Sequence, residues 1–213
     1  MTRSLAVVSM LSLLSGCGLW PGSSAPNGVV TGMITYAGLP AAGKLVTLVG
    51  ADVRTSTDDT GRYTFRSVPA KRVQVLYASQ GDRAKAKGDA YDVLPNEVQS
   101  WRSLPVDMTD GAGKEVPSFE VSYNGLLYPD RGVALVVSDK ALVPFHFSVH
   151  SQGQKYRVKL STDAKEAIWS SEWASDPTAV FGKAVAPGRY VWSVEIDGGD
   201  RGVGTTRDRG VDF

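Results

Sequence analysis

The side chain with the most distinctive chemistry in this sequence is the thiol of Cys17, the only cysteine among 213 residues. Arg3 precedes an apolar run at residues 5–14, and the small residues Ser15 and Gly16 separate that run from the cysteine. An apolar run of about ten residues is too short to cross a bilayer as a helix, which takes roughly 20. This order of residues is typical of a secretory signal peptide, which takes no part in the fold.

Residues 14–17, Leu-Ser-Gly-Cys, are similar to the lipobox of bacterial lipoproteins, in which an aliphatic and two small residues precede an acylated cysteine. The resemblance implies cleavage between Gly16 and Cys17, a diacylglycerol on the thiol, and often a further acyl chain on the new amine. Two or three acyl chains anchor a protein stably in a membrane. Gly18 follows the cysteine, which resembles the pattern of outer-membrane lipoproteins facing the periplasm or the cell surface.

An ordinary secretory signal followed by an unrelated cysteine is the alternative interpretation. A catalytic thiol is disfavoured because no histidine lies near Cys17 in the sequence. Residues 17–28 are rich in Gly, Pro and Ser, and we expect them to form a flexible tether between the lipid and the first folded domain. Trp20 in this segment suits the membrane interface.

His146 and His150 are the only histidines, and the pattern of FHFSVH places both on the polar face of a strand. Two strand residues four positions apart lie about 13 Å apart, too far to share one metal without further ligands. We therefore expect exposed histidines, no metal, and no cofactor beyond a lipid on Cys17. Residues 58–61, Asp-Asp-Thr-Gly, lack the spaced oxygen ligands of a calcium loop and predict a tight turn.

The remaining sequence offers no recognisable enzyme motif. It contains no nucleophile elbow, no P-loop and no dinucleotide-binding glycine motif after a strand, so we expect a protein that is not an enzyme. The net charge is +1, and Lys and Arg are spread among Asp and Glu, which disfavours nucleic acid as a partner.

Tryptophans are the best candidates for ligand or partner contacts, because exposed indole rings stack on sugars or form interface hot spots. The three candidates are Trp101, Trp169 and Trp173. The alternative is that these rings fill a core. We expect that for Trp192, favour it for Trp169, and leave Trp101 and Trp173 open.

The composition, with 23 Gly, 11 Pro and many β-branched and aromatic residues, predicts an all-β fold. Short alternating strands between turn residues, together with two family resemblances, lead us to expect two tandem β-sandwiches. Residues 30–32 (VTG), 38–41 (GLPA), 57–65 (TDDTGRYTF) and 68–70 (VPA) resemble a carboxypeptidase regulatory-like domain. The resemblance covers residues 29–108 and implies a transthyretin-like β-sandwich in which these motifs are structural.

Residues 109–116 are polar and Gly-rich, and we expect them to link two domains. Residues 156–160 (YRVKL), 168–173 (IWSSEW) and 186–194 (APGRYVWSV) resemble a fibronectin type III-like or immunoglobulin-like module. That resemblance covers residues 117–213. The last predicted strand is only the final three residues, VDF, which leaves open whether it is short or completed by a partner.

Together these features predict a non-enzymatic, membrane-anchored lipoprotein of the cell envelope. One hypothesis is a structural or interaction subunit that holds an envelope protein assembly at the membrane, for which the short last strand and the paired interaction-type modules are the arguments. The alternative is a polysaccharide-binding or adhesive protein that uses exposed tryptophans.

Overall fold

The computed structural model describes residues 27–69, 71–79, 97–123, 125–130, 133–135 and 142–213. The predicted signal peptide, the cleavage site at Gly16 and Cys17, and most of the predicted tether lie outside the described residues. Among the described residues, no helix has the length and apolar character needed to cross a membrane.

The described part of the chain consists of strands and one short 3₁₀ turn at Gly199–Arg201, which confirms the predicted all-β class. The strands are β1 (Gly28–Tyr36), β2 (Leu39–Pro40), β3 (Leu45–Val49), β4 (Val53–Ser56), β5 (Arg62–Val68), β6 (Arg72–Ala78), β7 (Ser100–Arg102), β8 (Val106–Asp107), β9 (Lys114–Glu115), β10 (Phe119–Glu120), β11 (Leu126–Tyr128), β12 (Val143–Phe147), β13 (Lys155–Thr162), β14 (Ala167–Ser170), β15 (Thr178–Phe181), β16 (Arg189–Asp197), β17 (Val203–Thr205) and β18 (Arg209–Asp212).

One long sheet forms the first layer of the molecule and contains strands from both halves of the chain. Its order is β14-β13-β16-β17-β7-β6-β3-β4, with β18 beside β16 and β8 beside β6. Every neighbouring pair along this path is antiparallel. The link between the halves is β17, which pairs with β16 on one side and with β7 on the other.

Two smaller sheets form the second layer and pack on the inner face of the long sheet. One groups β1 with β2, β5, β9 and β10, and the other is β11-β12-β15. The Phe119 ring of the first small sheet stacks on Trp101 of the long sheet, with ring centroids 5.6 Å apart. Phe145 of the second meets Trp192 edge-on at 5.1 Å. The buried apolar residues of both halves therefore form one continuous cluster.

The alternation of the sequence sets which side chains enter this core. In β13, Val158 and Leu160 are fully buried whereas Arg157 and Lys159 point to the outer face. In β5 the aromatic residues Tyr63 and Phe65 are likewise buried, and their polar neighbours are exposed.

The predicted linker, residues 109–116, differs from an exposed connection. Lys114 and Glu115 form β9, which pairs in parallel with β1, and Val116 is only 2% exposed. The halves also meet edge to edge through β7 and β17, so neither edge leaves its backbone N–H and C=O groups unpaired. The segment expected to separate two domains is thus built into the first one.

The last strand, whose neighbours the sequence left open, has neighbours within the chain on both of its sides. β18 pairs with β16 over Arg209–Asp212. On its other side, Asp212 forms a parallel bridge with Ala134, and Leu135 N–H donates to the Asp212 carbonyl at 2.8 Å.

The turn predicted at residues 58–61 is present, and the Asp58 carboxylate accepts hydrogen bonds from its backbone. Asp58 Oδ1 accepts hydrogen bonds from the N–H of Thr60 at 2.9 Å and of Arg62 at 3.0 Å. Gly61 has a φ of 72°, and a Cβ there would lie 2.5 Å from the carbonyl oxygen of Ile34, so the position requires glycine. The side-chain hydrogen bond from Thr60 and the backbone bond from Arg62 lower the pKa of Asp58.

Candidate functional site

A groove of about 400 Å³ opens where the chain crosses from β14 in the long sheet to β15 in the small sheet. Its volume falls in the range of small-molecule sites, roughly 300–1,000 Å³. Within the described residues, β14 pairs only with β13 and β15 only with β12, so the groove lies between two sheet edges. We refer to this cleft as the edge groove.

The floor of the edge groove is aromatic. Trp169, Phe147 and Tyr156 line it, and of these Trp169 is partly exposed whereas the other two are buried. Trp169 lies opposite Leu160 in the register of β14 and β13, which turns its ring inward. The ring lies 5.4 Å from that of Phe181, centroid to centroid. Trp169 therefore both closes the end of the core, as the sequence favoured, and offers a surface to the groove.

The rim of the edge groove is polar and carries one carboxylate. Glu172 is exposed, and its side chain has no hydrogen-bond partner among the described residues. Ser170 lies opposite Lys159 in the register, which turns its side chain toward the outer face of the long sheet. Ser171 Oγ is already engaged, because it donates to the Glu172 carbonyl at 2.9 Å and accepts from Val158 N–H at 3.0 Å. Thr178 Oγ1 donates to Asp176 at 2.7 Å. Hydrolysis of a glycosidic bond ordinarily takes a pair of carboxyl groups, and the lining supplies only Glu172.

Trp173 lies on the opposite face of the long sheet from the edge groove. The Arg157 guanidinium stacks over its ring, 4.6 Å from the centroid, and Arg157 points outward from β13. Arg157 and Lys159 share the Glu195 carboxylate, with Arg157 Nε at 2.8 Å and Lys159 Nζ at 3.2 Å. Trp169 and Trp173 thus do not form one aromatic platform, although only three residues separate them.

Trp101 is a core residue, which corrects its candidacy as a contact for ligand or partner. It is 1% exposed, and its Nε1 donates to the Arg201 carbonyl at 2.8 Å. A Cβ at Gly204 would lie 2.5 Å from its ring, and one at Gly198 would lie 2.7 Å from it. Gly198 and Gly204 therefore leave room for the Trp101 ring, and the glycine-rich run at residues 198–204 is a signal in the sequence that could have indicated this burial.

His150 is half-buried, which corrects the expectation of an exposed histidine, whereas His146 is exposed as expected. The strand ends at Phe147, so the alternation stops and His150 turns inward against the Trp101 ring, with centroids 5.6 Å apart. Its Nδ1 lies 3.0 Å from Gln154 Oε1 and its Nε2 lies 3.1 Å from the Glu120 carbonyl.

Burial lowers the pKa of His150, although its two hydrogen bonds oppose this effect. The lowered pKa favours the neutral form of His150, and the contacts of its ring join the two halves of the molecule. The described residues contain no group of three or more His, Cys, Asp or Glu side chains that could hold a metal.

A buried ionic cluster at the meeting point of the two halves escaped the sequence analysis. Glu97 is 6% exposed, and its carboxylate binds Lys44 Nζ, Tyr77 Oη at 2.5 Å and Ser79 Oγ at 3.1 Å. Arg207, from the second half, donates to Ser79 Oγ at 2.6 Å. Burial opposes ionisation of Glu97, but the ammonium and hydroxyl donors outweigh it and hold the pKa of Glu97 below its usual value. These residues are far apart in sequence, so no local pattern reveals them.

Comparison with known proteins adds little beyond the fold. No protein-family model matches the sequence, and no curated protein matches it. The chain is similar to the Bacillus anthracis TIE protein, with 10% identity over 88% of this chain and a TM-score of 0.32. The chain spans only 31% of that protein.

Two further solved structures resemble the chain as weakly. One is a proposed carbohydrate-binding protein from Bacteroides uniformis, with 11% identity, coverage of 88% of this chain and 100% of that one, and a TM-score of 0.28. The other comprises the fibronectin(III)-like modules of Clostridium thermocellum CbhA, with 12% identity, coverage of 86% and 88%, and a TM-score of 0.29. Similarity at this level carries no argument about ligand or partner.

Proposed function

We propose that this chain is a non-enzymatic lipoprotein of the cell envelope, anchored through Cys17, that binds a polysaccharide. The observation that supports binding is the edge groove, which combines the aromatic floor of Trp169 with the carboxylate of Glu172 on its rim. This combination suits a sugar, because the C–H faces of the ring pack on an aromatic side chain while its hydroxyls pair with Glu172.

The hypothesis of an assembly subunit rested on the short last strand and on the paired interaction-type modules. Because β18 has neighbours on both sides within the chain, the first of these two arguments no longer favours it. We also retain the proposal that the first half is related to the carboxypeptidase regulatory-like domains. Its support is that residues 58–61 form the predicted turn and that β5, which follows the turn, pairs in antiparallel with β1.

The anchor is tested by feeding cells an alkyne fatty acid and detecting the label on the protein. We expect the native chain to carry the label and to fractionate with membranes, and Cys17→Ser to lose both properties. A chain labelled equally with and without Cys17 would contradict the proposal, as would a native chain with no label.

The groove is tested by measuring the affinity of the purified protein for a panel of envelope and extracellular glycans. For the glycan that binds, Glu172→Gln should weaken binding about tenfold, because a hydrogen bond to a charged group contributes about 1.5–3 kcal/mol. Glu166→Gln is the matched control, since Glu166 is an exposed carboxylate outside the groove. Equal effects of the two variants, or no binding to any glycan of the panel, would contradict the proposal.

A further inference from the structure

The outer face of the long sheet is open to solvent and carries an excess of basic side chains. The strand pairings place seven bases on this face: Arg54, Arg72, Arg102, Lys155, Arg157, Lys159 and Arg189. The outward acids on the same strands are four: Asp107, Glu195, Asp197 and Asp212. On a chain with a net charge of only +1, this face is a cationic side.

Two of these bases are not neutralised by a carboxylate among the described residues. Arg102 is exposed, and its guanidinium donates to the amide oxygen of Gln74 at 3.5 Å. Arg54 is exposed and has no ion-pair partner in the described part of the chain. By contrast, Asp107 lies opposite Arg72, Asp197 lies opposite Lys155, and Asp212 lies opposite Arg189.

The register aligns the bases across the strands. Arg54, Arg102 and Lys155 belong to one row of directly opposite residues that runs from β4 to β13, and Asp197 of β16 lies in the same row, directly opposite Lys155. Three strand spacings separate Arg54 from Arg102, and three more separate Arg102 from Lys155, so the backbone positions of the bases recur about every 14 Å along the row. A linear polyanion laid across the strands would meet them in turn.

We propose that this face, the cationic face, binds an acidic polysaccharide. Its cations are complementary to the carboxylates of such a polymer, and Trp173, flattened against Arg157 beside the same row, offers an aromatic surface to a sugar ring. The chain enters the fold through β1, which belongs to the opposite layer. The cationic face therefore faces away from the layer where the tether begins, which favours a polymer over the lipid surface that holds the anchor. This site is separate from the edge groove and does not depend on a ligand there.

The test uses isothermal titration of the chain from residue 18 onward, which keeps every described residue and lacks the anchor. The probes are polygalacturonate, neutral dextran, and vesicles of phosphatidylcholine with phosphatidylglycerol. We expect the affinity for polygalacturonate to fall steeply between 25 and 200 mM salt. At the upper end of this range the screening length is about 8–10 Å, and attraction between exposed charges that are further apart is largely lost. Neither dextran nor the vesicles should compete.

Arg102→Ala should weaken polygalacturonate binding about fivefold, because one charge-assisted contact contributes on the order of 1 kcal/mol at an exposed site. Arg66→Ala is the matched control, because Arg66 is an exposed arginine on the other layer. Trp173→Ala should weaken polygalacturonate binding while leaving the edge-groove glycan unaffected.

Three outcomes would overturn the proposal. In the first, Arg102→Ala and Arg66→Ala bind polygalacturonate with the same affinity. In the second, dextran binds as tightly as polygalacturonate. In the third, anionic vesicles bind the chain and polygalacturonate does not, which would make a lipid surface the occupant. Failure of Glu172→Gln in the groove would leave this result untouched, so the two proposals fail separately.

Discussion

Replacement of Gly204 by alanine tests whether the two halves are locked together through Trp101. Gly204 is buried in β17, and a Cβ there would lie 2.5 and 2.6 Å from two atoms of the Trp101 ring. The ring has nowhere to move, because Phe119 stacks on it and its Nε1 is held by the Arg201 carbonyl at 2.8 Å. The methyl group must therefore displace either β17 or the indole.

Overpacking of a filled core costs about 1–3 kcal/mol. For a chain of this size, 1 kcal/mol shifts the unfolding midpoint by about 2–4 °C, so Gly204→Ala should lower it by about 4–8 °C at the centre of that range. Differential scanning calorimetry measures this shift. Gly113→Ala is the control, because the nearest atom to the added Cβ would be 4.0 Å away. The unfolding midpoint of this variant should change little.

Trp101→Phe should partly rescue Gly204→Ala, because the smaller ring leaves space for the methyl group, and a double-mutant cycle would show positive coupling. If Gly204→Ala and Gly113→Ala unfold at the same temperature, the ring is free to move and the junction is not the packed contact described above. If the two substitutions are simply additive, Gly204→Ala acts through something other than Trp101.

Three other predictions concern the polar contacts of the junction and the outer face. The folded-state pKa of His150 lies below its unfolded value, so protonation of this ring favours unfolding. The free energy of unfolding should therefore fall as the pH drops below about 6.5. In chemical denaturation, His150→Phe should flatten that pH dependence, whereas His146→Ala should not. Because the folded-state pKa of Glu97 is lowered, this carboxylate stabilises the fold above its unfolded-state pKa, and the stabilisation is lost as the pH falls through its folded-state pKa. Glu97→Gln should lower the free energy of unfolding by about 1–3 kcal/mol at pH 7 and should remove this loss of stability in acid. An unchanged free energy of unfolding would contradict the ionic cluster. Trp173→Ala should change the unfolding free energy by less than about 1 kcal/mol, since its ring packs on an exposed arginine and not on the core, and a larger loss would place it in the core.

Much of the second half of the fold follows from the sequence because its strands are long and alternate strictly. In β13 and β16, the apolar positions that the pattern assigned to one face are the buried ones, and Trp192 is fully buried as expected. A strand of eight or nine residues repeats the inward-outward pattern often enough for its face to be read without knowledge of its neighbours.

The junction between the halves follows from the sequence much less well, because it is made of short strands. β7 and β9 have three and two residues, too few to show an alternation, and β9 lies in a polar, Gly-rich segment that predicts a linker. His150 misled for a related reason, since the alternation of β12 was extended past its end at Phe147. Such short strands are identified by the strands with which they pair. Because those strands are distant in the sequence, the residues of the short strand itself do not indicate the pairing.

The continuous long sheet has a consequence for binding. Trp169 and Trp173 lie on one edge of it, and the strand pairing turns the first toward the groove and the second toward the cationic face. A ligand in the groove would therefore contact the sheet edge from within the sandwich, while a polymer on the cationic face would cross the strands outside it. Because β17 hydrogen-bonds to both β16 and β7, the bases contributed by the first half, Arg54 and Arg102, keep a fixed distance from those of the second. If the two halves were independently hinged domains, binding would have to fix the positions of these bases relative to one another, at a cost in conformational entropy. In the continuous sheet that entropy is lost during folding and not on binding.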